Sequence, residues 1–232
     1  MSRKEPIIAI DGPVGAGKSV AARELARALG FSYLNTGAMY RAVAIAARAA
    51  GVNPDDAKVE ARLASVLEAI KIKFDGEKIF LNGRDVSEEK NAPEIGDLAS
   101  RFSALGAVRA RMRELQRAAG AAGGVVMEGR DIGTAIFPDA EFKFFLVADV
   151  NTRARRRFEE LKKKGESISE HEVLDQMVER DRRDSARELA PLKRADDAIE
   201  IDSTKLSIDA VVAAMKAKIN ARIKAAKDLK RA

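Results

Sequence analysis

A glycine-rich segment near the start of the sequence constrains the fold more than any other feature. Residues Gly12–Ser19 read GPVGAGKS and match the pattern GxxxxGK[ST] in full. The apolar run Ile7–Ile10 precedes the segment, as expected of a buried parallel strand, and helical spacing follows over Lys18–Leu29. A loop of this kind between a strand and a helix binds phosphate, so the chain is predicted to hold a nucleoside triphosphate.

The residue types of this segment indicate how it would bind. Glycines let successive backbone N–H groups point at phosphate oxygens, and the following helix adds the partial positive charge of its N-terminus. Lys18 should reach the β- and γ-phosphates, and Ser19 should place its hydroxyl on Mg²⁺. The predicted nucleotide-binding residues are Gly12, Pro13, Val14, Gly15, Ala16, Gly17, Lys18 and Ser19.

Apolar runs and helical segments alternate along the rest of the chain. Further strand candidates are residues 31–34, 125–128, 142–147 and 198–201. This alternation predicts an α/β fold with a parallel sheet and helices on both faces. Residues 70–87 depart from this alternation of strands and helices. Apolar and polar side chains alternate there, and the turn signals Asp75–Gly76 and Asn82–Gly83 separate the short runs. We therefore expect a small antiparallel sheet inserted between the second and third core strands.

Composition excludes several classes of site. The chain has no cysteine, which excludes disulfides, thiolate metal sites and thiol nucleophiles, and a single histidine cannot build a zinc site. The net charge of +6 resides in the last seventeen residues, which carry seven basic side chains and one acidic one, so it does not indicate a nucleic-acid partner. No run approaches the roughly 18 apolar residues of a membrane span, and the first residues are too polar for a signal peptide. We expect a cytoplasmic protein without a membrane partner.

Arginines follow two of the predicted core strands. Tyr40 and Arg41 lie one turn inside the helix after the second strand, and Arg130 and Asp131 come directly after residues 125–128. In open α/β sheets the ligand crevice lies outside the carboxyl ends of the strands, so both segments should border it. Isolated surface arginines are the alternative interpretation.

A third polar group lies on a helix that opens with the capping-box pattern Ser169-x-x-Glu172. Its residues recur at intervals of three and four and should form one stripe, apolar at first and charged later. The stripe consists of Val173, Met177, Arg180, Asp184 and Arg187. The alternative is an exposed ladder of salt bridges.

A triphosphate site alone fits a switch, a motor or a kinase. The guanine-reading NKxD string of GTPase switches is absent. Glu128 or Asp131 could serve as the acid of a motor, although the arginine between them fits that role poorly. The arginines at the ends of core elements favour a kinase. Asp11, at the end of the first strand, has two open roles, namely holding a Mg²⁺-bound water or stabilising a turn.

Five segments together resemble the bacterial cytidylate kinase family, which belongs to the nucleoside monophosphate kinases of the P-loop class. They read IDGPVGAGKS, LNTGAMYR, EGRDIGTAIFPDA, ERDRRDSARELAPL and IDSTKLSID, and the resemblance runs from Ile7 to about Met215. It implies a single P-loop kinase domain over 1–232, with a monophosphate-binding insert at 52–99, an arginine-rich lid at 151–167 and a basic tail at 216–232. Asn35 is a departure, because many members have aspartate there.

The resemblance implies phosphoryl transfer from ATP to CMP or dCMP, assisted by Mg²⁺. It assigns the acceptor phosphate to Arg41, Arg130 and Arg187, the cytosine edge to Ser100, Arg109 and Asp131, and the sugar to Tyr40, Arg180 and Asp184. Thr36 joins the substrate-binding set, and the implied catalytic residues are Lys18, Arg130, Arg153 and Arg157. The implied partners are these small nucleotides, without nucleic acid, and the chain is expected to be a monomer.

Two alternatives remain open. One is a P-loop kinase for another small acceptor such as UMP or AMP, which would lack a use for the group formed by Ser100, Arg109 and Asp131. The other is a nucleic-acid-associated ATPase that uses the basic tail.

Overall fold

The strands predicted from the apolar runs are present in the computed structural model, which describes residues 3 and 5–229, with side chains up to residue 224 in the last helix. They are β1 (Ile7–Asp11), β2 (Ser32–Asn35), β3 (Ile72–Asp75), β4 (Lys78–Leu81), β5 (Arg84–Asp85), β6 (Val125–Glu128), β7 (Phe142–Val147) and β8 (Ile199–Asp202). One sheet has the order β2-β6-β1-β7-β8, and β3-β4-β5 form a second sheet. β1 pairs in parallel with β6 and β7, whereas the second sheet is antiparallel. The predicted fold class is confirmed.

Helices fill the segments between the strands. They are α1 (Lys18–Leu29), α2 (Thr36–Ala49), α3 (Val59–Ala69), α4 (Pro93–Phe102), α5 (Gly106–Gly120), α6 (Val150–Lys163), α7 (Glu170–Ser185) and α8 (Ile208–Leu229). Gly30 follows α1 in the left-handed conformation that often ends a helix, and the capping box predicted at Ser169 and Glu172 is complete at the start of α7. Within the described residues, no helix combines the length and apolar character that a membrane crossing requires.

The chain divides into two compact units, of which the first comprises residues 1–33 and 122–232. Its core lies where β1, buried along its whole length, and its neighbour β7 pack under α1 and α8. The spacing of the apolar side chains in α8 predicts one stripe along the helix, formed by Ile208, Val211, Val212, Met215, Ile219 and Ile223. Val211, Met215 and Ile219 are buried as this pattern predicts. The prediction that it extends to Ile223 is wrong, because that side chain is 41% exposed. The last buried apolar residue of the stripe is Ile219, one turn earlier.

The second unit comprises residues 34–121. Helix α2 packs against α4 in this unit, and the sheet β3-β4-β5 contributes the buried Ile79 and Leu81. The predicted meander at 70–87 is confirmed as this sheet. The predicted insert 52–99 lies inside the second unit, and its bounds stay a prediction.

Candidate active site

The phosphate loop lies in the first unit, between β1 and α1, as its sequence predicts. Two of its glycines are required by space as well as by conformation. Gly12 has φ 145°, and a Cβ there would lie 2.1 Å from Leu146 O of the neighbouring strand. Gly15 has φ 75°, and its Cβ would lie 2.9 Å from Met177 Cε. A side chain at Gly12 would collide with the backbone of Leu146, and one at Gly15 would be strained by the positive φ and crowded by Arg153 O at 3.2 Å, so glycine keeps the loop in this arrangement.

Lys18 is a buried cation, with 5% of its surface exposed and its Nζ donating to Pro13 O at 2.6 Å. Burial, reinforced by the positive charge of Arg130, lowers the pKa of Lys18 to about 7. A buried ammonium with a positive neighbour is electrostatically unfavourable until an anion joins it. The environment of Lys18 therefore suits a phosphate ligand.

Ser19 and Glu128 form the oxygen-rich side of the loop. Ser19 Oγ donates to Glu128 Oε1 at 2.6 Å, and Tyr33 Oη donates to the same oxygen at 3.2 Å. No group of three or more His, Asp or Glu side chains suited to a metal occurs in the described part of the chain. One hydroxyl and one carboxylate nevertheless fit Mg²⁺, because Mg²⁺ commonly takes its other ligands from water and substrate phosphates. Sequence reasoning considered Glu128 only as a motor acid, and Tyr33 carried no signal.

Arginines of the predicted acceptor-phosphate set meet on one buried carboxylate of the first unit. Asp184, 1% exposed, accepts from Arg130 Nε at 3.0 Å through Oδ2 and from Arg187 Nη2 through Oδ1. Burial raises the pKa of Asp184, but Arg130, Arg187 and Arg180 together lower it below its ordinary value. Asp184 therefore stays ionised and holds two guanidinium groups in place. The resemblance had suggested only a sugar contact for this residue.

The predicted stripe on α7 needs one correction. Val173 and Met177 are buried in an apolar cluster, and Asp184 is buried further along, as predicted. The helix ends at Ser185, however, so Arg187 lies beyond it. Its guanidinium still reaches Asp184, three residues earlier. The ion pair, rather than helical periodicity, positions Arg187.

The two predicted lid arginines have different surroundings. Arg153 of α6 is 6% exposed and donates to Val14 O at 3.0 Å, to Ala148 O at 3.0 Å and to Asp181 Oδ2 at 2.6 Å. It thus ties the phosphate loop to both α6 and α7. Arg157 pairs with Glu160 at 2.8 Å on its own helix. Catalytic roles for both arginines, and the lid at 151–167, stay predictions.

Asp11 ends β1, and Asp131 lies three residues after the end of the neighbouring strand β6; both are nearly buried, with 4% and 5% exposure. The carboxylate oxygens of Asp11 accept from Ile132 N at 2.9 Å and from Gly133 N at 2.8 Å. Burial raises the pKa of Asp11 to about 7, against the effect of these two hydrogen bonds. Of the two roles left open for Asp11, the geometry favours the stabilisation of a turn.

The raised pKa of Asp11 predicts a pH-dependent stability. The folded chain binds this proton more tightly than the unfolded chain, in which the pKa is near 3.8, so Asp11 reduces stability progressively as the pH rises from about 4 to about 7. Asp11→Asn has no titratable group at this position. Its free energy of unfolding should therefore rise relative to that of the wild type as the pH increases over this interval, by up to about 4 kcal/mol. Denaturant unfolding of both proteins at pH 4.5 and pH 7.5 measures the difference, and a pH-independent difference would contradict the prediction.

In the second unit, the predicted residues of α2 lie within its first two turns. Asn35 caps the helix, with Oδ1 accepting from Ala38 N at 2.9 Å, so the family's aspartate is replaced there by a residue that retains the capping function. Thr36 is buried at the first helical position. Arg41 donates to Lys90 O at 3.1 Å.

Ser100 and Arg109, the predicted cytosine readers of the second unit, are both buried. Arg109 donates to Ser103 O at 3.2 Å, and its guanidinium carbon lies 5.9 Å from the centre of the Tyr40 ring. Ser103 Oγ in turn donates to Ser100 O at 2.7 Å, whereas Ser100 Oγ has no hydrogen-bond partner among the described residues. A buried hydroxyl of this kind is costly unless a ligand satisfies it. Asp131, the third predicted reader, belongs to the other unit.

Comparison with known proteins agrees with these features. The family model described as cytidylate kinase matches residues 8–221. A cytidylate kinase of Geobacter sp. (strain M21) is 49% identical over 221 residues, covering 94% of each chain. One of Thermotoga neapolitana is 43% identical over 218 residues, covering 94% of this chain and 98% of that protein. Among solved structures, an uncharacterized protein from Eubacterium ventriosum superposes with a TM-score of 0.52 at 16% identity, covering 93% of this chain and 99% of that one, which supports the fold alone.

Proposed function

The chain belongs to the cytidylate kinase family, and we propose that it transfers the γ-phosphoryl group of ATP to CMP or dCMP, giving ADP and CDP or dCDP. The observation that carries this proposal is the closeness of two cationic groups in the first unit. Lys18 of the phosphate loop is buried and its pKa is lowered in part by the charge of Arg130, which the buried Asp184 holds beside Arg187. The ammonium of Lys18 suits the donor phosphates, and the guanidinium of Arg130 suits the acceptor phosphate.

Charge neutralisation is the main chemical task of such a site. Donor and acceptor phosphates repel each other, so transfer requires fixed positive groups where charge develops. Lys18 would stabilise the β- and γ-phosphates, while Arg130 and Arg187, both held by Asp184, would bind the acceptor phosphate. The acceptor phosphate is already ionised near neutral pH and needs no general base. Ser19 and Glu128 would hold Mg²⁺, which when bound would add positive charge at the donor phosphates.

Selection of the base requires partners for the cytosine edge. Cytosine presents an amino donor and an unprotonated ring nitrogen, which suit a carboxylate acceptor and a guanidinium donor respectively. We propose that Asp131 binds the amino group, with Arg109 and Ser100 as the further readers. Their burial and the unpartnered Ser100 hydroxyl support this assignment.

The remaining predicted residues keep the roles that the family resemblance implies. Arg41 is proposed for the acceptor phosphate and Tyr40 and Arg180 for the sugar, with Thr36 in the same substrate-binding set. Arg153 and Arg157 are proposed as catalytic residues of the arginine-rich lid at 151–167. A monomeric state and a cytoplasmic location also stay predictions.

A panel of ligands in a thermal-shift assay tests the proposed function. A ligand that binds the folded state raises the melting temperature in proportion to RT ln(1 + [L]/Kd). We expect CMP and dCMP to stabilise the chain more than UMP or AMP, and single-stranded DNA to have no effect. Equal shifts for UMP or AMP would favour a kinase of another acceptor, and a shift with DNA alone would favour a nucleic-acid-associated ATPase.

The basic end of the tail, beyond Ile223, should be dispensable for the reaction, whereas Ile219 earlier in the tail is buried in the core. Arg222 is anchored, because it donates to Glu141 O at 2.7 Å and lies 5.5 Å from the Phe142 ring centre. Lys224 is exposed, the side chain of Lys227 is not described, and Lys230 and Arg231 lie outside the described residues. Truncation after Ile223 keeps the Arg222 contacts and should change kcat/KM for CMP by less than about threefold. A tenfold loss at low salt that disappears at physiological salt would show instead that the tail attracts nucleotides.

A further inference from the structure

The short turn that follows Asp131 has an unusual cap. Residues Ile132–Ile136 form a π-helical turn, in which Asp131 O accepts from Ile136 N at 3.2 Å and Ile132 O accepts from Phe137 N at 2.7 Å. Asp131 is the N-cap residue of this turn, but its carboxylate makes no capping hydrogen bond. Aspartate is among the residues most favoured at an N-cap, because its carboxylate normally satisfies the first N–H groups.

A carboxylate from another strand satisfies those groups instead. The N–H groups of Ile132 and Gly133 donate to Asp11 Oδ1 and Oδ2, from a position 121 and 122 residues earlier in the chain. Asp11 ends β1, next to β6, and the turn begins after the three residues that follow β6. Asp11 therefore does for this turn what Asp131 would ordinarily do.

The space around Gly133 shows how closely the turn is held. A Cβ at Gly133 would lie 3.4 Å from Asp11 Oδ2 and 3.1 Å from Lys143 Cδ. The ammonium of Lys143 donates to Pro138 O at 2.5 Å, two residues beyond the other end of the turn. The same ammonium pairs with Asp197 at 2.9 Å. The segment is thus fastened at both ends, and loss of Asp11 would release only the end that carries Asp131.

We propose that Asp11 is a positioning residue for acceptor recognition: by capping the turn Ile132–Ile136, it keeps the Asp131 carboxylate directed at the acceptor base instead of at its own backbone. Without Asp11, the N–H of Gly133 would lack an acceptor, and Asp131 could fold back to cap it. This inference rests on the proposed function, in which Asp131 binds the amino group of cytosine.

A double-mutant comparison tests the inference. The ratio of kcat/KM for CMP to that for UMP is measured for the wild type, Asp11→Ala, Asp131→Ala and the double variant, each at saturating ATP. We expect Asp11→Ala to lower the ratio about tenfold in the wild-type background and less than about twofold in the Asp131→Ala background, because Asp11 acts through Asp131. The CMP-to-UMP ratio of Asp11→Asn should lie between those of the wild type and Asp11→Ala, since the amide oxygen of asparagine can still accept one N–H.

Glu141→Gln is the matched control. Glu141 Oε2 accepts from Ile7 N at 2.8 Å, so this variant weakens a carboxylate–backbone hydrogen bond at the opposite end of β1 without touching the turn. Its CMP-to-UMP ratio should equal that of the wild type. A similar fall in Glu141→Gln would show that the ratio responds to general loosening of the strand, and would overturn the inference.

The remaining outcomes are also decisive. If Asp11→Ala leaves the CMP-to-UMP ratio unchanged, or lowers it equally in both backgrounds, Asp11 only stabilises the fold and the inference is overturned. If Asp11→Ala does not fold, the same comparison with Asp11→Asn decides. A wild type that does not prefer CMP to UMP overturns both the proposed selectivity and the inference. If the wild type is selective but Asp11→Ala has the same effect with and without Asp131, only the inference is overturned.

Discussion

Replacement of Lys18 by alanine should abolish phosphoryl transfer while the fold survives. The ammonium would neutralise charge between the β- and γ-phosphates, and removal of one such preorganised donor costs about 100- to 1,000-fold in rate, or more where it is the principal cation. The fold should not suffer, because burial lowers the pKa of Lys18 to about 7 and its removal relieves an unfavourable buried charge. CMP-dependent formation of ADP, measured beside a melting curve, checks both parts of the prediction.

Lys224→Ala is a suitable control for the loss of a positive charge, because Lys224 is exposed on α8 and far from the phosphate loop in sequence. It should retain wild-type turnover. Near-normal turnover in a folded Lys18→Ala protein would contradict the assignment of the loop as the donor-phosphate site.

Replacement of Asp131 by alanine should cost base selectivity more than ATP binding. The amino group of bound cytosine would lose its acceptor, at a cost of about 1 to 3 kcal/mol for a buried unsatisfied group, which corresponds to roughly 5- to 150-fold in the CMP-to-UMP ratio. Measurement of kcat/KM for CMP and for UMP, together with KM for ATP, separates the two effects. Asp131→Asn should lose less, since its amide oxygen remains an acceptor.

The carboxylate of Asp139 provides the comparison for Asp131. It belongs to the same EGRDIGTAIFPDA segment but is 67% exposed and pairs with Arg3. Asp139→Ala should leave the CMP-to-UMP ratio unchanged. An equal loss of CMP and UMP activity in Asp131→Ala would argue against a base-reading role.

Local signals in the sequence determined much of the architecture. The phosphate loop, its flanking strand and helix, the capping box at Ser169 and the antiparallel meander all depend on contacts between residues close in the chain. Such contacts form within one turn or hairpin, so residue types and their spacing are sufficient to predict them. The GRDxGT and ERDxRDxxR segments likewise identified the family without any knowledge of distances.

Long-range contacts were decided only by the tertiary structure. Asp11 reaches the turn at Ile132 because β1 and β6 are neighbours in the sheet, and the register of that pairing cannot be read from either strand alone. Asp184 joins Arg130, 54 residues away, and a buried carboxylate between two guanidinium groups has no local sequence signature. The prediction from helical periodicity placed Arg187 on α7, although the helix ends at Ser185. Arg187 lies three residues after Asp184, which is a helical spacing, but it is an ion pair beyond the helix end that joins the two side chains. The sequence by itself determined which helices and strands form and which reactive side chains they carry. Sheet order and burial, which only the tertiary structure shows, decided which charged side chains meet. The physical reason is that the energy of an ion pair depends on the distance between the charges in space and not on their separation along the chain.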